Sequence, residues 1–354
     1  MSAPAQSLPA SFPAVRRSGY IVGPLYDGLF FVFSPLLALA LGVGISGTAF
    51  AVSPVDVAGL HIAWSDLLIS AFISAHLVIV FVRSHVNRHV FRQFPLRFTL
   101  VPVLLFAATR SSLFLMALIA VVGVWWDVYH SSLQTFGLGR IYDAKRGNGP
   151  QVGRSLDYYL NLLLYLGPIL AGATLMEHME EFSAFDRVGA PQLASIPSLA
   201  EAYHGWLTAL VLGVGAPFLL FYAFRYWQYH RQGYQVSPQK VALLVSTGAC
   251  SITAWGFNSF GEAFFIMNFF HALQYFALVW HTERKSLVSL ARLDGSALAV
   301  PAAFALLVVP AAGYGWWAAT HASRDVTAFC LVAVVSILHY WYDGFIWSVR
   351  KGEV

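Results

Sequence analysis

The chain is poor in charge. Only 11% of its 354 residues are Asp, Glu, Lys or Arg, against about 25% in an ordinary soluble protein. That shortage excludes a sizeable soluble domain. It also excludes a basic nucleic-acid-binding face, because the net charge of +4 comes from basic residues at the ends of apolar runs. Cysteine is nearly absent: Cys250 and Cys330 both sit inside apolar stretches. Two such residues make neither a disulfide framework nor a cysteine zinc site, and they read as small buried apolar side chains. No phosphate-binding glycine loop, nucleophile elbow or CxxCH haem attachment occurs. The three histidine boxes of membrane desaturases are missing too. The one HxxxH runs from His85 to His89 in "RSHVNRHVFRQF", which reads as a basic segment drawn to anionic lipid.

Apolar sequence is what remains. Hydrophobic residues make up 58% of the chain, in runs of roughly 20 that match the length of a membrane-crossing helix. The pattern predicts an all-α, polytopic membrane bundle of ten spans, near 27–47, 65–83, 98–110, 112–139, 156–175, 205–226, 240–258, 262–283, 296–318 and 326–348. The tight break at "ATRSS" leaves a re-entrant pair open for the third and fourth. With the N-terminus inside, all of the 21 Lys and Arg residues except Arg110, Arg187 and Arg324 fall on the cytoplasmic side, a strong positive-inside bias. Both termini are therefore expected in the cytoplasm of a bacterial-type inner membrane. Residues 1–26 read as a flexible Pro/Ser/Ala-rich segment, 27–349 as one transmembrane domain and 350–354 as a short tail. The N-terminus lacks the layout of a cleaved signal peptide. The acidic outer loop, 176–204, is expected to form a short surface helix.

Polar side chains inside a membrane are costly and face a bundle interior, a cavity or each other. Here they share a depth. His76, His130, His271 and His339 precede the basic residues Arg83, Arg140, Arg284 and Arg350 on four spans of the same direction. At about 1.5 Å per residue the four imidazoles lie roughly 10–20 Å from the cytoplasmic boundary. Asp127, His130 and Gln134 share one helical face, Asn268 stands three residues before His271 with Gln274 and Tyr275 a turn later, and His339 precedes Asp343 by four. A metal-bound histidine usually gives its second N–H to a carboxylate or carbonyl, and imidazole-rich sites suit iron, copper, zinc or nickel. The set therefore reads as metal ligands His76, His130, His271 and His339, supported by Asp127, Gln134, Asn268, Gln274 and Asp343. The plain alternative is four hydrogen-bonded packing histidines. Aromatic residues gather around them in sequence, and Trp126, Tyr129, Phe136, Phe270, Tyr340 and Tyr342 are candidates to wall a pocket for a long apolar substrate. His61, His178, His204 and His321 fall outside and receive no role.

At these residues the chain resembles the Brp/Blh family, bacterial polytopic membrane proteins that cleave β-carotene to retinal with a histidine-held non-haem iron. The likeness lies in "FFHALQYFALVW" (269–280), "VYHSSLQTFGLGRIYD", "SAHLVIVF" and "LHYWYDGFIW". It covers about a fifth of the chain. It implies Fe(II), or another transition metal, on His271, His130, His76 and His339, with O₂ and a lipophilic, isoprenoid or carotenoid-like substrate. Tyr275 stands where the family has a second histidine. As the candidate catalytic residue it has three roles open to it: ligand, hydrogen-bond donor, or neither. The expectation is an O₂-dependent oxidoreductase in the bilayer. Two other readings compete, a proton-coupled transporter using buried His and Asp, and a haem- or quinone-binding redox protein.

Overall fold

In lipid every backbone N–H and C=O must be satisfied within the protein, which leaves helices as the natural element for such a sequence. The computed structural model describes residues 19–258, 261–292 and 295–347, and it is 82% helix with 2% strand. The expected tail 350–354 and most of the expected segment 1–26 lie outside the described residues. A bent pair comes first, α1 (Pro24–Val32) and α2 (Ser34–Ile45), meeting at 56°. A small antiparallel hairpin, β1 (Pro54–Val57) and β2 (Leu60–Ala63), turns at Ala58 and Gly59, both at positive φ. Then follow α3 (Trp64–Val86), α4 (Pro95–Ser111), α5 (Leu113–Lys145), α6 (Arg154–Ala171), α7 (His204–Arg231), α8 (Pro238–Phe257), α9 (Ala263–Ala291), α10 (Ala299–His321) and α11 (Val326–Ile346).

Helices stand at all ten expected places, but not all are complete spans. Seven are long and apolar enough to cross a membrane: α3, α5, α7, α8, α9, α10 and α11. The α1–α2 pair makes an eighth if its bend is crossed as one. With 17 residues, α4 is about 26 Å long, short of the roughly 30 Å hydrocarbon core. The 18 residues of α6 include Arg154, Asp157 and Asn161, which lower its hydropathy. The break between α4 and α5 is the single residue Ser112, whose hydroxyl caps α5 by accepting from the Leu115 N–H. At 33 residues, α5 is about 50 Å long and outruns the bilayer at one end.

The centre of the bundle is built on α3, which packs along α9, α10 and α11, while α11 also packs on α5. Contact between α3 and α10 is close at Gly315, where a Cβ would overlap the Ala71 carbonyl oxygen. Only glycine lets the two backbones approach this far. At the periphery α7 is almost entirely turned outward, with 6% of its most apolar stretch buried. Beyond α6, the expected surface helix is a run of 3₁₀ turns, Glu177–Val188, which seats Phe185 on Ala117 and Val121 of α5. His178, in the same run, is buried between the rings of Trp255 (5.3 Å) and Phe264 (4.8 Å). Its Nδ1 lies 2.8 Å from the Thr174 carbonyl. Burial holds this imidazole below the ordinary histidine value, with the Thr174 contact opposing.

A buried ionic clamp joins the α5 extension to α6, α7 and α8. Arg140 Nη1 donates to Asp143 (2.7 Å) and Asp157 (2.6 Å). Lys240 Nζ donates to the same two carboxylates (2.8 and 2.6 Å) and to the Tyr226 hydroxyl (2.7 Å). The Tyr222 and Tyr226 hydroxyls donate to the other Asp157 oxygen, at 2.9 and 2.6 Å. Two cations thus face two carboxylates, all buried, which meets the requirement that a buried charge be paired.

Candidate metal centre

The four histidines meet. His76 comes from α3, His130 from α5, His271 from α9 and His339 from α11, and all four are buried. Their rings form a closed cycle. His76 lies 5.1 Å from His271 and 5.0 Å from His339, and His130 lies 5.1 Å from His271 and 4.8 Å from His339, centroid to centroid. The Nε2 atoms of His130 and His339 are 3.1 Å apart. One candidate donor atom each from His76, His271 and His339 falls within a 4.8 Å span.

The tautomer of His339 follows from its surroundings. Its Nδ1 lies 3.0 Å from the Leu77 carbonyl on α3, which accepts only, so Nδ1 carries the proton. Nε2 of the neutral ring then presents a lone pair to the centre. His130 meets His339, and two rings have orphaned nitrogens. Both nitrogens of His76 and Nε2 of His271 are buried without a hydrogen bond. The Ile73 carbonyl lies near His76 but outside hydrogen-bond geometry. An orphaned buried polar group costs about 1–3 kcal/mol, so unpartnered nitrogens on two adjoining rings call for a ligand.

Asp343, a turn beyond His339 on α11, divides its two oxygens. Oδ1 accepts from the Tyr275 hydroxyl at 2.8 Å and from the Trp347 indole N–H at 2.9 Å. Oδ2 lies 3.7 Å from Nε2 of both His130 and His339. The expected use of Asp343, to accept an imidazole N–H, does not occur in the structure. Leu77 takes the His339 proton, and 3.7 Å exceeds hydrogen-bond range. Tyr275 serves as a donor to Asp343, while its ring packs 4.6 Å from His339.

The other expected supports sit further out. Gln134 Nε2 donates to the His271 carbonyl (3.0 Å) and to Gln274 Oε1 (2.9 Å). Gln274 Nε2 in turn donates to the Phe31 carbonyl (2.9 Å) and Ser34 Oγ (3.2 Å). Pro35, four residues on, has no N–H to give that carbonyl, and the two glutamines fasten α5, α9 and the bend together and touch no imidazole nitrogen. Asn268 donates to Phe264 O on its own helix (3.0 Å) and takes no part in the centre. Asp127 lies against the Tyr340 hydroxyl, and the Tyr340 ring packs 5.1 Å from His130. Asp127 therefore stands one residue removed from the imidazoles.

The aromatic candidates divide as well. Trp126 and Tyr129 line an outward-facing apolar groove of about 410 Å³ on α5, with Val121, Val122 and Trp125. Trp126 packs on Tyr340 at 6.3 Å, so Tyr340 separates this groove from His130. Phe136 instead meets Tyr158 and the Arg154 guanidinium. Phe270 is buried in a separate core with Tyr165 and Trp255. Tyr342 packs on Phe98 and donates to the Arg97 carbonyl. None of these three reaches the histidines.

Three participants went unmarked in the sequence. Trp347 stands four residues after Asp343, and that i+4 spacing was the available signal. The Leu77 carbonyl carries no sequence signal at all. Arg83 pairs with Glu283 at 2.5 Å and stacks 4.1 Å over Trp347, closing the centre on that side. His85 is spoken for, with Nδ1 2.8 Å from Ser84 Oγ and Nε2 3.2 Å from Phe98 O. Comparisons with protein families, curated proteins and solved structures give no match to this chain.

Proposed function

We propose that this chain is a membrane-embedded, non-haem metalloenzyme, an O₂-dependent oxidoreductase acting on a lipophilic substrate. The observation that carries this reading is the buried cycle of four imidazoles, in which His76 and His271 have nitrogens with no protein partner and donor atoms gather within 4.8 Å in two overlapping groups that share His339. Neutral imidazoles at such spacing suit a transition metal, and His76, His130, His271 and His339 would hold it. When bound, Fe(II) supplies the O₂ chemistry that no side chain can perform. Haem fits less well: neighbouring imidazoles of the cycle pack with centroids 4.8–5.1 Å apart, which leaves no room for a porphyrin between them.

The protein contributes position and dryness. Packing of α3 on α9, α10 and α11 fixes the rings, and the buried surround excludes water. A long apolar molecule would lie in the outward-facing α5 groove, with the Tyr340 ring between it and His130. The resemblance of 269–280 and 128–143 to the Brp/Blh family makes an isoprenoid or carotenoid-like polyene the substrate to try first. In this reading the chain crosses a bacterial-type cytoplasmic membrane ten times with both termini inside, α4 and α6 completing their spans with flanking residues.

The test is metal content. Detergent-purified protein, loaded anaerobically with Fe(II) and desalted, is expected to retain about one iron per chain by mass spectrometry. Single His→Ala changes at 76, 130, 271 and 339 should lower that content while the helical circular dichroism signal survives. Polyenes should then stimulate O₂ uptake. Wild-type protein that retains no iron, copper or zinc would refute the reading and return the buried His and Asp residues to a proton path.

A further inference from the structure

Resting on that metal reading, we infer that Asp343 is itself a ligand, bound through Oδ2, with Tyr275 and Trp347 as the residues that aim it. Three observations lead there. The first is the division of the carboxylate. Both hydrogen-bond donors in reach go to Oδ1, and Oδ2 faces the two Nε2 atoms without bonding either. A carboxylate whose work was to orient a histidine would sit on an imidazole N–H, but that of His339 belongs to Leu77.

The second is metric. His130 Nε2, His339 Nε2 and Asp343 Oδ2 form a triangle with sides of 3.1, 3.7 and 3.7 Å. The point equidistant from its corners lies about 2.0 Å from each, the length of a bond from a first-row metal to imidazole nitrogen or carboxylate oxygen. Two histidines and one carboxylate around a shared point, with positions left open, form the ligand set of non-haem Fe(II) oxygenases. His76 and His271, from α3 and α9, form a second group of donor atoms with His339, so His339 is common to both.

The third is charge. Four neutral imidazoles would leave a divalent ion's full charge inside the bilayer, where unpaired charge is expensive. One carboxylate halves it. Arg83, stacked over Trp347, is already paired with Glu283 and donates to the Ile346 carbonyl. Arg83 therefore has a carboxylate partner of its own in Glu283.

The probe is Fe(II) alone, its affinity measured by competition with a chromogenic chelator under anaerobic conditions. Asp343→Ala is expected to weaken binding about 100-fold, and 10 mM formate should restore at least tenfold by filling the vacated position. Tyr275→Phe and Trp347→Phe, which loosen the carboxylate without removing it, are expected to cost about tenfold and to gain nothing from formate. Asp343→Asn, of equal size, serves if the alanine variant fails to fold, and is expected to lose at least tenfold. Affinity within twofold of wild type in a folded Asp343 variant would overturn the ligand assignment while leaving the four-histidine site standing. So would an equal formate response in Asp343→Ala and Tyr275→Phe. Wild-type protein that binds no Fe(II) overturns both.

Discussion

Lys240→Met tests how the bundle is held away from its histidines. Lys240 Nζ touches Asp143, Asp157 and the Tyr226 hydroxyl within 2.8 Å, and 4% of the residue is exposed. Methionine keeps much of the volume and removes the charge. Two carboxylates then share Arg140 alone, leaving one buried negative charge uncompensated. Breaking a buried pair from one side costs about 3–5 kcal/mol. Replacing Asp143 by leucine in the same chain removes that excess charge, and Arg140 still faces Asp157 at 2.6 Å. The double variant is therefore expected within about 1–2 kcal/mol of wild type, because replacing a matched pair by apolar residues is often near neutral. Reversible unfolding in mixed micelles, followed by circular dichroism, gives both numbers. Iron content at low temperature should be unchanged in both variants, since the clamp shares no hydrogen bond with the imidazoles. A single substitution costing under about 1 kcal/mol, or a double variant whose loss equals the sum of its singles, would refute the account of the clamp as a charge-balanced unit.

Gly315→Ala places a methyl on the Ala71 carbonyl and 3.0 Å from the Ala75 Cβ. It should cost about 1–3 kcal/mol as overpacking, and shift His76 enough to lower Fe(II) affinity in the chelator assay. Trp126→Ala opens the groove beside Tyr340 and should change KM for a polyene more than it changes iron content, measured by O₂ uptake and mass spectrometry. Burial lowers the pKa of His178 in the folded state. Below its ordinary value near 6.5, the unfolded segment therefore binds more protons than the folded one, and stability falls as pH falls. The protection factors of amides in Glu177–Val188, with the intrinsic exchange rate divided out, should fall from pH 7 to 5 in wild type, and much less in His178→Phe.

The meeting of the four histidines was legible because depth in a membrane is countable. Each stands a fixed number of residues from a basic boundary, and the rise per residue converts that to a common level. Which faces turn inward was harder to read. Asn268 shares a helical side with His271 yet bonds its own helix, and Phe270, adjacent in sequence, points into a different core. Asp343 stands one turn from His339, and i+4 spacing fits a ligand and a hydrogen-bonding support equally. What bears on the difference is a backbone carbonyl from another helix, Leu77, which takes the His339 N–H and which no pattern marks. The clamp was invisible for another reason. Arg140 and Lys240 look like ordinary boundary cations in the charge count, and only the packing of α5, α6 and α8 shows that Asp143 and Asp157 lie between them.

The order in which the ring residues occur along the chain has a consequence for its synthesis. The His339 imidazole binds the Leu77 carbonyl across 262 residues, a stretch that takes on the order of 13–50 s to translate at roughly 5–20 residues per second. His76, His130 and His271 are already in the membrane when α11 arrives. Until then their inward nitrogens face an unfinished gap. The last helix brings His339, Asp343 and Trp347 together, so a ribosome that stops before α11 releases a bundle without its closing side. A chain truncated after α10 should insert and yet be recognised by membrane proteases as incomplete.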